Sequence, residues 1–268
     1  MRKLLKSELL KLRRCQILLV GLVALALCPI VQYGSQLIVE EEYRNPDYNF
    51  QTLFENVVWG NTQMFFPISL VMIGGWLIDR ESAHDTLKNI MTIPVPMPKL
   101  LGVKLLLTVM LTALLGIYSV GVTLLTGLAV GLPGLTGEVV LHGGMQIVTA
   151  ALLTCLVCMP LILIFGQIRG AYLGGSILAF FLGYSIMFFK GGVLASIYPF
   201  SAALILAGFD MSGYAGTTTP PNPLLAAAGI FFMVLWTAVL LLMSGRKKEM
   251  KPGKRKNGRK RAGSRRKS

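Results

Sequence analysis

Six apolar stretches, at 16–38, 57–78, 105–130, 144–166, 171–189 and 224–243, carry no Lys, Arg, Asp or Glu in their middles. Each approaches or exceeds the ~20 residues with which a helix, rising ~1.5 Å per residue, crosses ~30 Å of hydrocarbon. In a chain of 268 residues, 54% of them hydrophobic, six such helices leave little for a domain outside the lipid. The expectation is an all-α polytopic membrane protein: a six-span membrane domain over 1–244, and a basic, disordered cytoplasmic tail over 245–268.

The net charge of +14 is concentrated in that tail, where residues 246–267 hold 13 of the 26 basic side chains. Threading six spans with the N-terminus inside places 24 of the 26 cations on one side, leaving Arg44 and Lys190 on the other. The second side instead collects Glu40, Glu41, Glu42, Asp47, Glu55, Glu138 and Asp210. The bias of Lys and Arg toward cytoplasmic loops then sets both termini inside. The first apolar run is read as a retained helix, because it continues past any signal-peptide cleavage point.

Within 1–14, Leu5, Leu9 and Leu12 recur at helical spacing among six cations, a pattern suited to an amphipathic helix on the inner membrane surface. The stretch 193–208 is apolar but short for a crossing and interrupted by Pro199. A full crossing there would export the basic tail, so a re-entrant hairpin on the outer face, around Tyr198, Pro199 and Phe200, fits the charge pattern better. Gly166, Gly170 and Gly174, and likewise Gly127 and Gly131, repeat every four residues, as helices that pack closely require.

Several chemistries find no residues to support them. The chain has no Gly-x-x-x-x-Gly-Lys-Ser/Thr loop, and neither His84 nor His142 has a partner at metal-ligand spacing. Cys155 and Cys158 fall in the middle of an apolar run, where thiols act as small packing groups. No ionisable residue lies mid-span, where ion-coupled pumps usually keep one. No catalytic residue, cofactor or metal is expected. If cargo moves uphill, energy enters from outside the membrane domain.

The segment 79–104 carries the most information. Ser82 and Asp85 resemble a helix-start capping pair, and Leu87, Ile90 and Met91 form an apolar face opposite Glu81, Asp85 and Lys88. Pro94, Pro96 and Pro98 end that helix and stiffen the residues around them into an extended strut. Such a helix, held at the membrane's inner face, suits a partner's groove and equally its own protein's core.

At Asp79-Arg80-Glu81, Thr86-Leu87-Lys88, Ile93-Pro94-Val95-Pro96 and Lys99…Lys104, the sequence resembles the loop between spans two and three of type-2 ABC exporter permeases. Its nearest likeness is to the bacitracin and lantibiotic efflux and immunity permeases of Gram-positive bacteria. The resemblance implies a cell-membrane permease that works as a homodimer or heterodimer with a cytoplasmic ABC ATPase subunit. It implies export of an amphipathic substrate such as an antimicrobial peptide. It also implies an ATPase-coupling helix that includes Arg80, Glu81, Asp85, Thr86, Leu87, Lys88, Ile90 and Met91. The basic tail is expected to attract anionic lipid rather than nucleic acid, since no stacking aromatics accompany its charges. The alternatives are a secondary transporter and a non-transporting membrane scaffold or sensor.

Overall fold

The computed structural model describes residues 8–9, 12, 16–43, 45–83, 96–189, 191–215 and 220–249. Among them there is no strand, and five helical stretches are long and apolar enough to cross a membrane. The first, α1 (Ile17–Ile38), buries only Gly21, Leu25, Cys28 and Pro29. Those positions share one helix face, while Leu19, Val23 and Leu27 on the other side are exposed, as a lipid-facing surface requires.

The second stretch is the centre of the fold. Asn49 starts α2 (Phe50–Gly60) by accepting the Thr52 backbone N–H at 3.0 Å, as an N-cap does. The chain then winds through a π-helical turn, Asn61–Phe65, into α3 (Phe66–Ala83). Its most apolar window is 89% buried, against 22% in α1. Helix α1 and the next three helices of the chain pack directly against it.

Next, α4 (Met97–Val130) has 34 residues, about 51 Å of helix, more than a bilayer core requires. It begins eight residues before the apolar run at 105, because Pro98 sits in its first turn. There the missing N–H costs nothing. The expected extended strut is therefore confined, among the described residues, to Pro96, and Lys104 lies inside the helix rather than in a loop. Thr136 caps α5 (Gly137–Gly166), which runs through Pro160. The run at 171–189 becomes α6 (Tyr172–Tyr184) extended by a 3-10 turn, Ser185–Phe188, which is shorter than the other five. Positive-φ glycines at Gly170 and Gly191 bound it on either side.

Two short helices come after it, α7 (Gly192–Ile197) and α8 (Pro199–Leu206), separated by Tyr198, then α9 (Ser212–Ala215). The last, α10 (Pro223–Glu249), ends the described chain. Of the expected surface helix, Glu8, Leu9 and Leu12 are described, and all three are helical.

Contacts distribute the chain ends onto one face. Glu8 meets Arg80 and Lys104, the Asp79 carboxylate accepts the Gly170 N–H at 3.2 Å, and Gln167 donates to Ser244 at 3.1 Å. The opposite face is closed by Phe50 N–H donating to the Pro133 carbonyl at 3.1 Å, and by Trp59, stacked on Phe209 and tilted against Tyr214. There the Tyr214 hydroxyl donates to Asn56 at 2.8 Å. Burial, then the Glu55 charge, raises its pKa above the usual phenol value, so it stays a neutral donor.

Only part of the glycine spacing serves helix contact. A Cβ on Gly166 would press on Ile78 and the backbone of Gly75, and one on Gly127 would enter the Phe50 ring. Gly131 and Gly170, by contrast, face open space at φ 75° and 72°, and Gly174 faces open space too. The first two reverse the chain rather than pack it.

Candidate functional site

The face that gathers the chain ends carries a cluster of buried charge. Arg80, near the end of α3, places its Nη2 3.1 Å from Glu8 Oε2, and Lys104 Nζ lies 3.5 Å from the same oxygen. Lys104 also donates to the Leu77 carbonyl, and the Arg80 guanidinium sits 5.2 Å over the Trp76 ring. Glu8 and Lys104 are each 1% exposed. Charges this deep persist only when paired and hydrogen-bonded. One carboxylate thus ties the N-terminal segment to the last turns of α3 and the first turns of α4, the two stems of residues 84–95. With the Asp79–Gly170 bond, the turn between α5 and α6 is bound to the same stems. The cluster contains no nucleophile–base pair. Its role is structural: it ties α3, α4 and the N-terminal segment together.

Of the residues expected to form the coupling helix, Arg80 is in this cluster and Glu81 lies in α3. Asp85, Thr86, Leu87, Lys88, Ile90 and Met91 lie outside the described residues. Glu8 was not expected here. The clue available in the sequence is that it is the only acid before Glu40, set among six cations.

Above the cluster runs a buried polar seam. The π turn lies about 16 Å along the helix from Phe50. Asn61 Nδ2 donates to Ser119 Oγ at 2.9 Å. On α4, Thr108, Thr112 and Thr123 donate to the carbonyls four residues earlier. Five atoms of the seam, Asn61 Oδ1, Thr62 Oγ1, Gln63 Nε2, Ser69 Oγ and Thr154 Oγ1, are buried without a hydrogen-bond partner among the described residues. Each such atom costs about 1–3 kcal/mol, and π turns recur at functional positions in helices. Gly183 of α6 packs directly on the Gln63 carbonyl. The seam escaped sequence reading because it is built from neutral polar side chains, whereas the search for depth-embedded function looked for charge.

Tyr198, Pro199 and Phe200 form the break between α7 and α8. The Tyr198 hydroxyl donates to the Leu182 carbonyl at 2.6 Å and lies 2.7 Å from Ser185 Oγ, and its ring is 4.5 Å from Phe189. Both short helices pack on α10, and α8 also on α5, beside a 650 Å³ apolar groove against Phe232, Met233 and Trp236 of α10. Tyr198→Phe deletes the bond to Leu182 and is expected to cost about 1 kcal/mol, seen as a lower melting temperature in detergent with helical content unchanged.

Residues 4–186 match the family model described as ABC-2 family transporter protein. The chain belongs to the ABC-2 family. The matched region covers Glu8, the central α2–α3 helix, the stems of 84–95 and α6. No curated protein and no solved structure matches the chain. An ABC-2 permease is the membrane component of an ABC transporter, a transport subunit that is not itself catalytic. The family implies association with an ATPase subunit. In this permease, the charge cluster lies at the two stems of residues 84–95.

Proposed function

We propose that the chain is the permease of an ATP-driven exporter and that residues 84–95 receive the motion of a separate cytoplasmic ATPase. The observation that carries this reading is the Glu8 cluster, which braces both stems of that segment and links them to the N-terminal helix. The face bearing the cluster also bears the end of α10 and the α5–α6 turn. It is the face on which 24 of the 26 cations fall when all six apolar runs cross, which supports a cytoplasmic location for both termini. In this reading α6 crosses as the fifth span, α7 and α8 re-enter from the outer side, and the tail beyond α10 lies on anionic lipid. The working unit is a dimer of permeases, and the cargo is amphipathic, of the antimicrobial-peptide kind that lantibiotic and bacitracin permeases of Gram-positive bacteria handle. The absence of an ionisable mid-span residue in the sequence favours this over a secondary transporter.

Charged replacements test the contact. Leu87→Asp with Met91→Asp is expected to abolish co-purification of the ATPase while membrane insertion and yield stay unchanged. Undiminished recovery of the ATPase with the doubly substituted chain would refute the assignment.

A further inference from the structure

The face opposite the termini holds a crevice of about 380 Å³ between α2 and α5 that the transport reading does not use. Gln51 and Glu55, one turn apart, line it from α2; Glu138, His142 and Gln146, on successive turns, line it from α5. The Phe54 ring, packed against Gly143, closes the floor. The Gln51 amide donates to Glu55 Oε1 at 2.9 Å, which fixes one carboxylate oxygen and leaves the other for a ligand. Glu138 has a local explanation, since it occupies the first turn of α5 and complements the helix dipole. Glu55 sits mid-way along α2, half-buried, with the neutral Gln51 amide as its hydrogen-bond partner and no helix end to complement.

A second observation comes from Gln146. It is only 8% exposed, its Nε2 is spent on the Gly208 carbonyl at 2.8 Å, and its carbonyl oxygen has no partner among the described residues. That oxygen is not sealed off, and since Gln146 lines the crevice it can accept from a donor bound there. Neither Glu55 nor Glu138 is paired with a Lys or Arg among the described residues. No three of His, Cys, Asp and Glu among them stand close enough to hold a metal ion. The volume falls in the range of small-molecule sites. Acids confined to a cleft concentrate cations there.

We propose that this crevice binds an organic cation through a primary ammonium or guanidinium group. Glu55 and Glu138 supply its counter-charges, the Gln146 carbonyl accepts a further N–H, and Phe54 underlies its apolar part. The site needs no ATPase, so its failure and the failure of the permease reading are separate results.

The test uses the full chain in phosphatidylcholine nanodiscs with dansylcadaverine, a primary ammonium on an aromatic body, and its neutral N-acetyl derivative. Anisotropy is read against empty discs, and melting temperature verifies that each variant is folded. The ammonium probe is expected to bind, and the acetylated one to bind at least about tenfold more weakly. Glu55→Gln and Glu138→Gln are each expected to weaken the ammonium probe about tenfold, the loss of one charge-assisted contact, while Glu41→Gln leaves it unchanged. Equal binding of the two probes, or folded Glu→Gln variants that bind like the native chain, would overturn the proposal. So would binding of Ca²⁺ at this site in place of the ammonium.

Discussion

Glu8→Gln is expected to destabilise the permease by about 3–5 kcal/mol, the range for removing one partner of a buried ion pair. The carboxylate lies between two cations, 3.1 Å from Arg80 and 3.5 Å from Lys104, and Lys104 is as deeply buried as Glu8 itself. Without it, both cations lose a counter-charge where little water reaches them. A glutamine occupies the same volume, so packing loss contributes little and the effect reads electrostatics directly. Combining Glu8→Gln with Lys104→Met is expected to recover much of the loss, because an apolar side chain of similar length removes the charge that the carboxylate answered. Unfolding midpoints of the three proteins in one detergent measure this. Equal midpoints for Glu8→Gln and the native chain would show that the cluster contributes nothing to the fold.

Gly183→Ala is expected to exceed the ~1–3 kcal/mol usual for overpacking a core. The added methyl would overlap the Gln63 carbonyl oxygen and come within 3.0 Å of the Gln63 carbonyl carbon and Pro67 Cγ. Two of these three atoms are backbone and the third belongs to a proline ring, so none swings aside as a long side chain would. Relief requires α6 to retreat from the π turn. Gly174→Ala is the matched control: it lies on the same helix, its Cβ would meet nothing within 4 Å, and removing a glycine from a helix stabilises slightly. A melting temperature lowered in Gly183→Ala and unchanged or raised in Gly174→Ala is the expected pair. A well-folded Gly183→Ala would mean that the α6–π contact is not tight.

Residues that act through composition were legible in advance. Five of the six apolar runs became long helices, because an unbroken apolar run has one stable form in lipid. Helix starts are hidden where a helix opens with polar residues. α2 begins seven residues before its apolar run at 57, since Gln51 and Glu55 face the crevice rather than lipid. α4 begins early because Pro98 opens a helix as readily as it ends one. The fifth run supplied residues for a crossing but is closed at both ends by positive-φ glycines.

The site divides along the same line. The break between two short helices at Tyr198–Pro199 was marked by a local signal, the proline itself. The Glu8–Lys104 contact joins residues 96 apart in the chain, and no spacing rule reaches that far. The π turn was invisible for a different reason. Asn61–Phe65 contains no proline or glycine to mark a break, and the extra residue is accommodated by what packs around it, Gly183 above all.

The central claim is that motion enters this permease through residues 84–95 from a molecule on the chain-terminal face. A photo-cross-linking amino acid at position 87 or 91, in chains co-expressed with a P-loop ATPase of ABC type, tests it most directly. The account predicts an adduct with the ATPase from both positions and none from position 141, which lies in α5 near the opposite face. Adducts from 141 with none from 87 or 91 would contradict it.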